Sequence, residues 1–360
     1  MNRIEVRSRK TIYGYEENCW FVDGRPLPEY LDEWAKESGD ERFAAMSFGG
    51  LCPAWSKAVE YEGDRRFVWK TIDMDKALVP LLLCEDDLDF SCIVIVVETE
   101  KIGEYVYWDR IGYVTHDNED WEQEKRSGIL YIDSYTDEDW EQYGDNIAWA
   151  ECGSHEWCEW IGAHWAEELY RRRMNYTLPY YQRAGSVRWI KTMDWVFPGG
   201  EYEDMVERFW DMETLGELHK LFDDGGFAGK ASKTFGKEMC AKLMAGLTRD
   251  GWRELEQHLR DYGEILLHLL AGDLLTEPLL DLAGGYPKRE LKLRIYCKFI
   301  ECMWRYGDED VVNVVDVTIL ERLSDRPQAW ELFGRHISDE FVGYINSLHE
   351  DYGWINPIGS

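Results

Sequence analysis

The chain has 360 residues, of which 45% are hydrophobic and 14% aromatic, enough apolar material to exclude an intrinsically disordered protein. It carries 71 Asp and Glu against 40 Lys and Arg, a formal net charge of −31 at pH 7. Such a charge repels nucleic acids and anionic membranes and attracts basic proteins, so direct nucleic-acid binding is not expected. The alternative that the acidity serves only solubility stays open.

Cysteine usage and hydropathy predict a cytoplasmic protein that does not enter a membrane. The nine cysteines are scattered without a disulfide framework, which favours reduced thiols. Residues 1–7 are charged and have no apolar segment typical of a secretion signal. The longest apolar runs, 77–84 and 92–97, are too short to span a bilayer.

Residues 1–198 predict a mixed α/β domain with a mostly antiparallel sheet. A short strand over 19–23 is followed by a helix over 29–36, which Leu27-Pro28 opens. Apolar and β-branched runs predict further strands over 66–71, 77–84, 90–98 and 104–114. We expect a bend or bulge in the last of these near Gly112.

Pro198-Gly199-Gly200 predicts a domain boundary, and residues 201–360 predict an all-α domain, either a helical bundle or a short solenoid. Leucines between 266 and 275 predict a helix at its centre that is buried almost all round. The whole chain is therefore expected to be α+β. The predicted helices cover 202–222, 230–247, 250–271, 288–306, 308–323 and 328–348.

The common catalytic signatures are absent from the sequence, so no catalytic residue and no cofactor is predicted. Asp73-Met74-Asp75 and the acids at 85–87 lack the spacing of a calcium loop. His219, His258 and His268 lie in predicted helices, where a hydrogen-bonded structural role is expected. Four soft ligands are compatible in type with zinc but not in spacing, so zinc is left open and no metal is predicted. They are Cys152, His155, Cys158 and His164.

One acidic-aromatic pentapeptide occurs twice, at 119–123 and 138–142, within a fifty-residue stretch (101–150) that holds thirteen acids and four bases. The copies could be two similar helix starts, since acids favour the first turn and Trp then anchors on the core. Alternatively they form an exposed surface that binds a basic protein, because Trp supplies contact area and carboxylates supply steering. On the second interpretation the partner-binding residues are Glu119, Asp120, Trp121, Glu122, Glu138, Asp139, Trp140 and Glu141.

Three stretches resemble large bacterial proteins encoded beside polymorphic toxins. They are residues 20–32, residues 96–98 with 106–112, and residues 298–321, the last of which is similar to an uncharacterised helical domain from the same kind of locus. The resemblance covers patches of about half the chain. It implies an immunity protein, an inhibitor of a sibling cell's toxin domain. It carries over no particular interface residue.

Together these observations predict a two-domain immunity protein that occludes the active site of a toxin with a basic surface. The toxin could be a nuclease or an ADP-ribosyltransferase. A second hypothesis is a DNA-mimic inhibitor of a DNA-binding defence enzyme, which needs carboxylates spaced like phosphates. A third is an enzyme that reverses the toxin's modification, for which only the four possible zinc ligands offer a start.

Charge reversal at Glu138, Asp139 and Glu141 together is expected to slow association with the toxin, because steering depends on unscreened charge. Stopped-flow association rates at low salt measure the effect. Unchanged kinetics at low salt would show that this segment is not the interface.

Overall fold

The computed structural model describes residues 1–59, 62–86, 88, 90, 92–115, 184–223, 227, 234–353 and 355–359. The chain divides into two compact units, Met1–Val206 and Glu207–Ser360. The described part of the first unit contains two antiparallel sheets with helices, and that of the second is helical. The predicted α+β class is confirmed. The domain boundary predicted at 198–201 lies just before this division.

The first sheet is an antiparallel meander at the start of the chain. Strand β1 (Ile4–Lys10) pairs with β2 (Glu16–Val22), which pairs with β3 (Arg25–Pro26). Helix α1 (Leu27–Ser38) follows directly, with proline in its first turn, where a missing N–H is harmless. It ends at Gly39, whose φ of +68° suits glycine at a helix C-terminus.

The second sheet has five strands in the order β4-β5-β6-β7-β8, and every neighbouring pair is antiparallel. The strands predicted at 77–84, 90–98 and 104–114 correspond to β5, β6 and β7. The bounds are Cys52–Pro53 (β4), Lys76–Leu83 (β5), Val94–Ile102 (β6), Tyr105–Val114 (β7) and Val187–Pro198 (β8).

The predicted irregularity near Gly112 is confirmed. The register between β7 and β8 shifts between Ile111 and Gly112. A Cβ atom at Gly112 would lie 2.2 Å from the carbonyl oxygen of Arg188 on β8. The two strands therefore approach here in a way that only glycine permits.

The strand predicted at 66–71 is wrong, because these residues belong to helix α3 (Glu62–Asp73). The buried positions recur with helical spacing and form one face of the helix. A short window of alternating residues does not reveal that spacing. They are Asp64, Phe67, Val68, Thr71 and Ile72.

An aromatic cluster lies in the core of the first unit. Trp108 on β7 is fully buried and contacts Trp195 of β8, with ring centroids 6.3 Å apart. Trp195 in turn contacts Trp34 of α1 at 5.6 Å. Burying each large ring contributes roughly 2–3 kcal/mol before the loss of side-chain entropy. Part of the tryptophan content therefore serves the core.

Helix α4 (Gly199–Phe222) follows β8, and the second unit continues with nine described helices, some joined by π-helical segments. The helices are α5 (Lys237–Ala245), α6 (Gly251–Tyr262), α7 (Leu267–Ala271), α8 (Glu277–Gly284), α9 (Glu290–Tyr306), α10 (Glu309–Val314), α11 (Glu321–Ser324), α12 (Pro327–Gly334) and α13 (Asp339–Tyr352). The π segments are Gly272–Thr276 and Val315–Leu320. Within the described ranges, no helix has the length and apolar character needed to cross a bilayer.

Two of the predicted long helices are divided in the structure. The helix expected over 250–271 is interrupted at Gly263, where φ is +71°. The helix expected over 328–348 is interrupted before Ser338, whose hydroxyl accepts a hydrogen bond from the Phe341 N–H at 3.3 Å and so begins a new helix.

Most leucines of the segment 266–275 are buried. Leu267, Leu270 and Leu275 are buried, as predicted, but 48% of the Leu269 side chain is exposed. The expectation of a helix buried almost all round therefore holds for most of these leucines and fails at Leu269, because leucine content alone does not say which face a neighbouring helix covers.

We expect Gly112→Ala to lower the free energy of unfolding by about 1–3 kcal/mol, because the new methyl group forces β7 and β8 apart. Urea unfolding measures the change. Gly200→Ala is the matched control, since nothing lies within 4 Å of a Cβ atom built there. Equal midpoints for the two variants would contradict the close approach at Gly112.

Candidate protein interface

All residues predicted to bind a partner lie outside the described residues, and so do the four possible zinc ligands. The former are Glu119, Asp120, Trp121, Glu122, Glu138, Asp139, Trp140 and Glu141, and the latter are Cys152, His155, Cys158 and His164. Both remain predictions.

Possible metal ligands, the Cys52 thiol and His258 are described groups that bear on chemistry. In the ranges that the structure describes, which include Asp73 and Asp75, no group of three or more His, Cys, Asp or Glu could hold a metal ion. Partial burial raises the pKa of the Cys52 thiol to about 11, so it is protonated near neutral pH and a poor nucleophile. His258 has the predicted structural role, since its Nε2 accepts a hydrogen bond from the Leu266 N–H at 3.0 Å.

The tip of the β1–β2 hairpin presents an exposed aromatic surface. We call residues 11–15 the Tyr13 hairpin. Its backbone closes through hydrogen bonds from the Thr11 N–H to the Tyr15 carbonyl (2.9 Å) and from the Gly14 N–H to the Thr11 carbonyl (3.1 Å). Gly14 has φ of +91°, which a residue with a side chain rarely adopts. The side chains of Ile12 (61% exposed), Tyr13 (62%) and Tyr15 (40%) point to solvent in part.

Two glycines outside the hairpin allow its tip to lie close to the rest of the first unit. A Cβ atom at Gly49 would be 2.8 Å from Cγ2 of Ile12, and one at Gly50 would be 2.8 Å from the Tyr13 ring. The Ile12 N–H also donates to the Gly49 carbonyl at 3.3 Å. The exposed side chains therefore stand on a fixed support, and less conformational freedom is lost when a partner binds.

The Tyr15 hydroxyl joins the hairpin to an acidic segment. It donates a hydrogen bond to Oε1 of Glu85 at 2.6 Å and lies 4.0 Å from Sγ of Cys52. Partial burial, together with the hydrogen bond to Glu85, raises the pKa of Tyr15 well above its usual value, so the hydroxyl remains a donor at neutral pH. The Tyr13 and Tyr15 rings stack with centroids 6.4 Å apart.

A pocket of about 320 Å³ lies beside the Tyr13 hairpin. Its wall on one side includes Tyr13 and Gly50, and its charged groups are Arg42, Glu85 and Asp86. Arg42 belongs to helix α2 (Glu41–Ala44). The pocket therefore places aromatic and apolar surface next to two carboxylates.

Asp40 fixes the short helix that carries Arg42. Its Oδ1 accepts a hydrogen bond from the Phe43 N–H at 2.8 Å, and its Oδ2 accepts one from Nε of Arg188 at 3.2 Å. The Phe43 N–H is the main cause that lowers the pKa of Asp40, and the Tyr113 hydroxyl and Arg188 act in the same direction. Asp40 is therefore charged at neutral pH and caps α2.

This arrangement has features that favour protein binding. Exposed tyrosines supply large contact areas at low entropic cost, and nearby carboxylates pair with cationic side chains. It has the acidic-aromatic character predicted for residues 119–123 and 138–142, but in another part of the chain. The sequence signal was the Tyr13-Gly14-Tyr15 triplet between two alternating runs, which is typical of a hairpin with aromatic side chains at its tip.

Comparison with known proteins identifies one family in part of the chain. Residues 248–351 match the model of a domain of unknown function, DUF7674. The match lies in the second unit and supports the expected uncharacterised helical domain, without assigning an activity. No curated protein and no solved structure matches the chain.

We expect Tyr15→Phe to loosen the Tyr13 hairpin, because the hydrogen bond to Glu85 is lost while the ring remains. Amide hydrogen exchange at residues 12–15 should accelerate by about fivefold, equivalent to about 1 kcal/mol for one hydrogen bond. Tyr13→Phe is the control, since the Tyr13 hydroxyl makes no hydrogen bond among the described residues. Equal exchange in both variants would contradict the role of the Tyr15–Glu85 bond.

Proposed function

We propose that the protein is a cytoplasmic immunity protein that binds and neutralises a cognate antibacterial toxin domain, a nuclease or an ADP-ribosyltransferase. It inhibits by occluding an active site that lies in a basic surface. The Tyr13 hairpin is part of the surface that binds the toxin. The toxin-linked resemblance of three stretches of the sequence supports the class.

The net charge supports the kind of partner. The chain has 71 acidic and 40 basic side chains, so 31 carboxylates would remain without a cation even if every cation formed an ion pair. The resulting field raises the association rate with a basic protein by about ten- to a thousandfold at low salt. Rapid capture suits an inhibitor that must act before a toxin reaches its target.

The Tyr13 hairpin carries the proposal. Ile12 and Tyr13 are each more than half exposed, although burying such side chains is favourable, and the Gly49–Gly50 support holds them outward. Glu85 and Asp86 line the same pocket as Tyr13. A partner that covers the aromatic side chains would bring its own cations to these carboxylates.

Capture of the partner tests the proposed class. The tagged full chain is purified from its own cytosol, and the bound protein is identified by mass and then expressed alone in a sensitive strain. We expect one toxin domain that arrests growth, with arrest relieved by co-expression of this chain. Recovery of several unrelated DNA-binding enzymes would favour a DNA mimic instead, and recovery of no toxin would contradict the proposal.

Substitution of the exposed ring tests the proposed surface. Tyr13→Ala is expected to weaken toxin binding by at least about tenfold, as at an interface hot spot. Tyr352→Ala is the matched control, since Tyr352 is 68% exposed at the end of α13. Calorimetric titration gives both affinities. Equal losses, or no loss for Tyr13→Ala, would remove the Tyr13 hairpin from the interface.

A further inference from the structure

A second pocket, of about 430 Å³, lies within the helical unit. Residues 264–269 form one wall. The rest of the described lining consists of Lys237 of α5, Asp310, Asn313 and Val314. Most of this lining falls in the DUF7674 segment. The described lining of the pocket shares no residue with the Tyr13 hairpin.

The wall formed by residues 264–269 is held in place by defined contacts. Helix α6 ends at Gly263 with φ of +71°, which turns the chain sharply. The Leu266 N–H then donates to Nε2 of the buried His258 at 3.0 Å. The pocket therefore exists before any ligand binds.

His268 and Asn313 orient one polar edge of the pocket. Nδ1 of His268 lies 2.6 Å from Oγ1 of Thr318, and Nε2 lies 3.3 Å from the side-chain nitrogen of Asn313. With the Asn313 amide nitrogen donating to Nε2, the imidazole proton is on Nδ1. The Asn313 side-chain oxygen accepts no hydrogen bond from the described residues and is available as an acceptor.

Apolar side chains form the rest of the lining. Leu267 and Val314 are buried, whereas Leu266 is half-buried and Leu269 is 48% exposed at the edge. A ligand with an aliphatic stem could bury that stem against these groups. Long basic side chains have such a stem below their charged head.

The charges at the pocket favour a cation. Glu264 and Asp310 are exposed, and neither forms an ion pair with another side chain in the described ranges. Among the described lining residues Lys237 is the one cation, and together they carry a net charge of −1. Two carboxylates and the Asn313 oxygen offer several acceptors, which matches the five donors of a guanidinium better than the three of an ammonium.

We propose that this pocket binds an arginine side chain on an exposed segment of the partner protein. Its stem lies against Leu266 and Leu269, and its guanidinium donates to Glu264, Asp310 and the side-chain oxygen of Asn313. This inference rests on the proposed function, since it names a second contact with the same basic partner. It gives the DUF7674 segment a part in recognition.

A peptide assay on the full chain tests the pocket without the toxin. The probe is a fluorescein-labelled heptapeptide, Gly-Ser-Leu-Arg-Leu-Ser-Gly, and its neutral match carries citrulline in place of arginine. Fluorescence anisotropy is recorded at about 0.15 M salt, where charges on distant surfaces are largely screened. We expect the arginine peptide to bind at least about tenfold more tightly than the citrulline peptide. Equal binding of the two, or equal binding of a lysine peptide, would overturn the assignment.

Matched double variants locate the binding. Glu264→Gln with Asp310→Asn is expected to weaken the arginine peptide by about tenfold. Glu350→Gln with Asp351→Asn removes the same two charges from the exposed end of α13, outside the pocket, and should leave binding unchanged. Equal losses would show that only net charge matters and would overturn the proposal. If the arginine peptide does not bind in the pocket while the toxin is still captured, the proposed function stands and this inference alone is wrong.

Discussion

Repulsion among carboxylates is the constraint on which the folding and binding of this protein depend. The chain has 31 more acids than bases, so the folded state must gain enough from apolar burial to hold like charges together. Several basic side chains form ion pairs within each unit. Nε of Arg110 lies 2.5 Å from Glu98 in the first, and Nζ of Lys292 lies 2.7 Å from Asp211 in the second. Because Lys292 and Asp211 are nearly buried, their ion pair holds the two side chains in one relative position.

The two surfaces that we propose to bind the partner combine the same features. At the Tyr13 hairpin, exposed rings stand on a support of Gly49 and Gly50 next to Glu85. At the helical pocket, a wall held by His258 presents Leu269 next to carboxylates. In both places apolar contact area is preorganised and flanked by negative charge. Such surfaces bind basic partners with a low entropic loss and a fast encounter.

The sequence predicts much of the fold because local patterns determine it. Buried strands such as 77–84 are uniform apolar runs, and the helices of the second unit repeat their apolar residues with helical spacing. The prediction was wrong at 66–71, where a short apolar and basic run concealed the buried face of α3. The Tyr13 hairpin as a site was not foreseen, since its exposure depends on contacts with Gly49 and Gly50, far along the chain. The pocket likewise depends on His268 meeting Asn313 and Thr318 from another helix.

Hydrogen–deuterium exchange of the complex with the captured toxin shows whether the Tyr13 hairpin and the helical pocket are covered, because it locates the covered surface without substitutions. We expect slower exchange in the complex at residues 11–15 and at 264–269, with α12 unchanged. It also predicts that the toxin segment protected in return is basic. Protection confined to other parts of the chain, with both of these segments exchanging as in the free protein, would contradict it.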